Sequence, residues 1–105
     1  MNERGFDALV AAALSGQRQI RGKLSDTTGL CALGVLYDTL YPRNMRGGLE
    51  ANEDDVVSSF ELSREASKCP DCEAILTEAS MLVHLNDVHE WDFLTIARKL
   101  REITQ

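Results

Sequence analysis

Aromatic residues are scarce in this sequence, prolines are scarcer, and a long apolar segment is missing. Of the 105 residues 6% are aromatic and two are proline, while 44% are apolar, so a core must consist mostly of leucine, valine, isoleucine and alanine. This mixture favours helices in one small domain. No apolar run approaches the roughly 20 residues that cross a bilayer. We therefore expect no membrane span, and we interpret the longest run, residues 29–36, as a buried helix.

The N-terminus lacks the unopposed positive charge of a secretory signal peptide. Glu3 and Asp7 accompany its apolar stretch, residues 8–14, and this argues against export. Three cysteines in a chain without an export signal indicate a reducing compartment, where thiols more often bind metals or fill cores than form structural disulfides. We predict a cytoplasmic protein.

Net positive charge is lacking as well, and the acidity lies mostly in one half of the chain. The formal charge is -6; residues 1–50 carry six Lys/Arg and five Asp/Glu, whereas residues 51–105 carry five and twelve. Nonspecific affinity for DNA or RNA comes largely from neutralising phosphates, so this charge disfavours a nucleic-acid partner. The negative electrostatic potential that this charge produces favours a basic protein partner.

Apolar residues recur at helical intervals in the N-terminal half. A second helix is predicted from Gly29 to Tyr41, where Pro42 stops it, with an N-cap among the polar side chains at positions 25–28. Gly34 inside it costs about 1 kcal/mol of helix propensity, which indicates close approach of another helix or backbone. The first helix is predicted to end at Gly16, and its apolar stripe consists of Phe6, Leu9, Val10, Ala13 and Leu14.

Two further segments are less regular. Residues 17–24 fit either a loop or a short extended segment. Residues 43–52 contain two adjacent glycines and indicate a flexible loop, after which Asn52 is expected to cap a short acidic helix that reaches Phe60. No linker divides the chain into domains.

Both histidines of the protein and two of its cysteines form one pattern, Cys69-x2-Cys72-x11-His84-x4-His89. Zinc prefers four tetrahedral sulfur and nitrogen ligands, and two cysteines on a tight turn with two histidines on a helix supply them. The spacing is close to that of Cys2His2 zinc fingers. We therefore predict a structural zinc site with these four ligands.

The residues between the cysteines and histidines agree with this prediction. Residues 75–87 have the apolar spacing of a helix, which places His84 near its last turn. His89 follows five residues later, one more than a straight helical turn needs. The helix must therefore tighten or end between the two histidines for both rings to face one ion.

Other interpretations of these residues remain open. The cysteines can be plain thiols and the histidines surface or capping groups. Cys-Pro-x-Cys before a helix is also typical of the redox-active cysteine pair of glutaredoxins. The glutaredoxin fold, however, needs a strand before the motif and a cis-proline after it, and residues 63–68 are a poor strand. If His89 were not a ligand, an open metal site with Glu90 as a base would suit an enzyme. Cys31 is interpreted as a core residue, not a nucleophile.

A last helix is predicted after Trp91, with Asp92 as its N-cap. With the preceding helix it forms a hairpin, or alternatively a helix-turn-helix in which Arg98, Arg101 and Gln105 face DNA. The inward stripe of this helix is expected to comprise Phe93, Ile96, Ala97, Leu100 and Ile103.

The segment from His84 to Trp91 resembles the His-Leu-Asn-Asp-x-His-x-Trp pattern of small bacterial and phage proteins of unknown activity. Residues 31–34, Cys-Ala-Leu-Gly, are similar to an upstream element of the same group. The sequence departs from that pattern at Asp92, where Ser or Thr is common, and at Lys99, where an aromatic residue is common. The resemblance implies kinship and no particular activity.

Together these observations predict a mostly α, small single-domain fold spanning residues 1–105. Residues 1–50 would form an N-terminal helical core and residues 69–105 a zinc-pinned helical hairpin. The predicted function is that of a non-catalytic protein-interaction or regulatory module. The alternatives are a DNA-binding regulator that uses helix 92–103 and a small metal-dependent enzyme.

Overall fold

The protein is mostly α-helical, as predicted. Its structure, a computed structural model, describes residues 1–25, 29–42 and 52–104. Two short strands, β1 (Ser67–Lys68) and β2 (Ile75–Leu76), pair antiparallel. The helices within the described residues are α1 (Glu3–Leu14), α2 (Ala32–Leu40), α3 (Glu53–Ser59), α4 (Glu78–Asp87) and α5 (Phe93–Thr104). None of these helices is long and apolar enough to cross a membrane.

The core lies where α1, α2, α4 and α5 meet. Phe6 and Leu9, which belong to the predicted apolar stripe of α1, are buried. Leu14, the last residue of that stripe, is exposed, so the prediction was wrong at this residue. The helix stops at Leu14, and Gly16 follows with a φ of 75°, the left-handed conformation that favours glycine. The other large apolar side chains that are almost fully buried are Leu30, Leu36, Val56, Phe60, Leu82, Leu85 and Ile96.

Helix α2 begins later than predicted and uses a different cap. It starts at Ala32, and Cys31 is its N-cap because the Cys31 Sγ accepts from the Gly34 N–H at 3.4 Å. Ser25 is not the cap, and the other predicted cap positions, 26–28, lie outside the described residues. Cys31 is buried, as its interpretation as a core residue requires.

Gly34 lies against another part of the backbone, as predicted. A Cβ atom at this position would lie 1.9 Å from the carbonyl oxygen of Leu24. Residues 18–20 form a short extended segment beside Leu30, just before α2: Ile20 N–H donates to the Leu30 carbonyl and Leu30 N–H donates to the Arg18 carbonyl, both at 3.0 Å. Residues 21–24 form a bend, in which Gly22 has a φ of 81°. Residues 17–24 thus combine the two predicted alternatives, an extended segment and a loop.

The acidic helix α3 begins where the sequence predicts. The Asn52 side chain accepts from the Asp54 N–H at 2.8 Å, and Phe60 is the C-cap. The loop predicted over residues 43–52 falls almost wholly on residues 43–51, outside the described part of the chain.

The region before α4 differs from its prediction. Ile75 pairs with Lys68 in the β-hairpin and is exposed, so the expected helix from residue 75 was wrong over its first three residues. Helix α4 starts only after Thr77, whose hydroxyl accepts from the Ser80 N–H at 3.4 Å. The poor strand expected at residues 63–68 nevertheless pairs at Ser67 and Lys68 because the turn between the strands holds them together.

Helix α5 closes the fold. Asp92 caps it, since its carboxylate accepts from the Thr95 N–H at 2.8 Å. Hydrogen bonds from the Thr95 side chain and from its N–H hold the pKa of Asp92 below its usual value. Ile103 is exposed, so the predicted inward stripe ends one turn early. The buried members of that stripe are Phe93, Ile96, Ala97 and Leu100.

Candidate metal centre

Cys69 and Cys72 lie on the turn that joins β1 to β2. The turn is closed by the Cys69 N–H, which donates to the Ala74 carbonyl at 2.8 Å. Backbone N–H groups also point at both sulfur atoms: Asp71 donates to the Cys69 Sγ at 3.4 Å and Ala74 donates to the Cys72 Sγ at 3.5 Å. Such donors stabilise negative charge on sulfur, which is the form of cysteine that binds metals.

His84 and His89 come from the C-terminal end of α4. The helix ends at Asp87, and the His89 N–H donates to the His84 carbonyl at 3.4 Å, one residue wider than an α-helical bond. Glu90 then adopts a φ of 57°, and the chain turns toward α5. The helix thus ends between the two histidines, as the five-residue interval requires, and both rings reach the cysteines.

The four side chains converge on one point. One ligand atom from each lies within 4.8 Å of all the others. The Cys69 Sγ is 3.5 Å from the His89 Nε2, the Cys72 Sγ is 3.3 Å from the His84 Nε2, and the two Nε2 atoms are 3.1 Å apart.

These distances fit the edges of a zinc coordination tetrahedron. With Zn–S near 2.3 Å and Zn–N near 2.0 Å, tetrahedral angles give an S···N edge of about 3.5 Å and an N···N edge of about 3.3 Å. The rings of His84 and His89 stand edge to face, at 82°. The four residues can therefore hold a single metal ion.

The site is partly buried, and this affects the charge of its sulfur atoms. Cys69 is 3% exposed and belongs to the hydrophobic core, whereas the other three residues are half-buried. Burial raises the pKa of the Cys69 thiol, and the N–H donated by Asp71 partly offsets this. A divalent cation would stabilise the thiolate that burial disfavours.

One residue of the site was missed by sequence reasoning. The Asp71 Oδ2 lies 3.2 Å from the His89 Nδ1, the ring nitrogen that faces away from the other ligands. Its position between the two cysteines was the only available signal, because nothing in a sequence says which way a turn carboxylate points.

The geometry bears on the redox and enzyme alternatives. Both cysteine sulfur atoms lie with the two histidine nitrogens in one cluster, and no peptide bond among the described residues is cis, Pro70 included. Glu90, the base that an open metal site would use, is exposed and pairs with Arg21 at 3.8 Å. His89 takes part in the cluster, so the premise of that open site is not met.

The two arginines predicted to contact DNA have different surroundings. Arg98 is exposed on α5. The Arg101 guanidinium pairs with Glu3 at 2.7 Å and lies 4.6 Å from the centre of the Phe6 ring, so it connects α5 to α1. DNA contact by these residues stays a prediction, and Gln105 lies outside the described residues.

A β-hairpin with two cysteines followed by a helix with two histidines is the ligand order of ββα zinc-binding modules. Residues 67–89 have this arrangement, but α4 buries six of its ten residues against the rest of the protein. The chain thus contains a candidate metal-binding ββα unit built into a larger helical domain. Comparison of the chain with protein-family models, curated proteins and solved structures finds no match.

Proposed function

We propose that the protein binds one structural zinc ion through Cys69, Cys72, His84 and His89 and acts as a non-catalytic interaction or regulatory module. The observation that carries the proposal is the convergence of the four ligand atoms within 4.8 Å. Two thiolates and two imidazoles in a tetrahedron suit zinc better than calcium or magnesium, which prefer oxygen ligands.

Four protein ligands favour a structural role over a catalytic one. Catalytic zinc keeps a coordination position for water or substrate, whereas structural zinc is enclosed by protein side chains. A four-coordinate ion held by all four side chains has no such position left. The metal would then contribute folding free energy, which suits a domain whose β-hairpin has only two residues in each strand.

Metal content tests the proposal directly. Protein purified without a metal-binding tag is expected to carry one zinc ion per chain, and its cobalt derivative to show the absorption of a four-coordinate S2N2 site. Cys72→Ser should abolish stoichiometric binding. Cys31→Ser is the matched control because Cys31 lies outside the cluster, and this variant should keep its metal. A wild-type protein that takes up neither ion would refute the proposal.

The proposed partner is a protein with a basic surface, in a bacterial or phage setting and in the cytoplasm. The support is charge: the second half of the chain carries twelve acidic residues against five basic ones, and the first turn of α3 exposes Glu53, Asp54 and Asp55. Like charge disfavours a polyanion at this surface.

Capture from a bacterial lysate separates this partner from nucleic acid. The immobilised protein should retain a defined protein at low salt, lose it as salt rises, and be unaffected by nuclease. If only nucleic acid is retained, and Arg98→Ala weakens that retention, the DNA-binding alternative is favoured instead. A gel-shift experiment at low salt is expected to show no DNA complex.

A further inference from the structure

The acidic residue between the two cysteines contacts a ligand on the opposite side of the site. The Asp71 Oδ2 lies 3.2 Å from the His89 Nδ1, while the Nε2 of the same ring lies 3.5 Å from the Cys69 Sγ. One nitrogen of His89 therefore faces the other ligands and the second faces a carboxylate.

We propose that Asp71 is a positioning residue for the metal: its carboxylate fixes the orientation and tautomer of the His89 ring and thereby raises metal affinity. This inference rests on the proposed function, because it concerns the same site. Asp71 itself does not bind the ion, since its carboxylate lies on the far side of the imidazole.

A hydrogen-bond acceptor at this position suits the chemistry of a metal-bound imidazole. A neutral histidine that binds metal through Nε2 carries its proton on Nδ1, and a carboxylate that accepts this proton holds the ring in one tautomer and one orientation. The carboxylate also increases electron donation from Nε2 to a bound cation, which strengthens that bond.

His89 needs this support more than His84 does. His84 lies inside α4, whose backbone fixes its direction, whereas His89 follows the helix in a segment that turns at Glu90. Within the described part of the chain, His89 is the one of these two histidines whose outward nitrogen contacts a carboxylate. The His89 ring also packs against the rings of Trp91, 5.9 Å away, and His84, 4.8 Å away, but neither ring accepts a hydrogen bond from its Nδ1.

Asp71 has two roles that substitutions can separate. Its backbone N–H donates to the Cys69 Sγ at 3.4 Å, and any side-chain substitution other than proline retains this bond. Changing the carboxylate therefore tests the contact with His89 alone. Glu73 is the matched control: it lies in the same turn, is acidic, and pairs with Lys68 at 3.1 Å, with its side chain 90% exposed.

Zinc affinity, measured by competition with a chromophoric chelator, tests the inference on the full-length protein. Asp71→Ala is expected to weaken zinc binding about 10- to 100-fold. Asp71→Asn should lie between wild type and Asp71→Ala, because an amide oxygen still accepts the proton but carries no charge. Glu73→Ala should leave the affinity within about twofold of wild type, since an exposed ion pair contributes little.

A spectroscopic measurement distinguishes positioning from a general structural role. In the zinc-loaded wild type, nitrogen-15 NMR should show His89 protonated at Nδ1 and bound through Nε2. In Asp71→Ala, the His89 signals should broaden or move while those of His84 stay in place. The circular dichroism spectrum of the metal-free protein should be the same in both.

The outcomes separate this inference from the proposed function. If wild type binds zinc and Asp71→Ala binds it equally well, the positioning role is wrong and the zinc site stands. Equal weakening by Asp71→Ala and Glu73→Ala would overturn it in favour of a general effect of acidic charge. A difference between the metal-free circular dichroism spectra of Asp71→Ala and wild type would overturn it in favour of a structural role. A wild type without metal affinity refutes the proposed function first.

Discussion

Removal of the metal is expected to unfold residues 67–104 and to destabilise the rest of the domain. Each strand of the β-hairpin has two residues, which is too short to be stable alone, and the metal would connect this hairpin to α4. Zinc in small domains supplies about 10 kcal/mol, which is comparable with the whole stability of a typical domain, about 5–15 kcal/mol. Because α4 and α5 contribute Leu82, Leu85 and Ile96 to the core, their loss should reach α1 and α2 as well.

Circular dichroism with and without a chelator measures this effect. We expect most of the helical signal to be lost, and to return with zinc but not with magnesium. Cys72→Ser or His84→Ala should behave like the chelated wild type and be insensitive to chelator. Cys31→Ser should respond to the chelator as wild type does. Retained helicity with an unchanged melting temperature after complete metal removal would contradict a structural role.

Substitution of Asn86 is expected to be the most damaging change outside the metal ligands. This side chain is 0% exposed, and its Oδ1 accepts from the Gln19 Nε2 at 2.7 Å and from the Ala32 N–H at 3.0 Å. Its Nδ2 donates to the Ile20 carbonyl and to Asp87, both at 2.8 Å. One amide thus connects α4 to the extended segment and to the start of α2.

Asn86→Leu keeps the volume but removes the partner of the buried Ala32 N–H and of the half-buried Ile20 carbonyl. Each such group costs about 1–3 kcal/mol, so the loss of the Ala32 and Ile20 contacts should lower the free energy of unfolding by about 3 kcal/mol or more. Asn86→Asp should also destabilise the protein, because a carboxylate cannot donate to the Ile20 carbonyl and lies beside Asp87.

Denaturant unfolding of the zinc-loaded protein measures both substitutions. Asn52→Leu is the matched control: Asn52 is exposed and caps α3, so its replacement should cost about 1 kcal/mol. The Asn86 variants should still bind zinc in the cold, since the four ligands are unchanged. Equal losses for positions 52 and 86 would show that the buried amide has no special role.

The sequence predicted the helices with repeated apolar spacing and the four residues of the candidate site. Helix α1 is indicated by the apolar residues Phe6 and Leu9 and by Gly16 after its end, and the start of α5 is indicated by its N-cap, Asp92. The sequence shows these features because each depends on residues within the same helix or next to it. The spacing alone identified the four residues of the candidate site, Cys69, Cys72, His84 and His89. Two closely spaced pairs of ligands, separated by a longer interval, can coordinate one ion tetrahedrally.

The sequence did not predict the β-hairpin or the start of α2. Residues 67–76 have no strand periodicity, and they pair because the Cys69–Ala74 hydrogen bond closes the turn. Cys31 became a cap because Leu24 lies against the start of α2 and fixes its backbone: the Cys31 N–H donates to the Leu24 carbonyl at 3.0 Å. The β-hairpin and the start of α2 both depend on contacts between segments, which local propensity does not predict.

By itself, the sequence determined that this protein is a helical domain with two thiols and two imidazoles spaced for one ion. Only the tertiary structure decided that Asp71 meets His89, that Asn86 connects three segments, and that Arg101 packs on α1. The physical reason is the range of the interactions. Helix spacing, caps and ligand intervals involve residues that are close in sequence. The partner of a buried amide or of a carboxylate beside a ligand instead belongs to a segment that is distant in sequence, and only packing of the core brings that segment into contact.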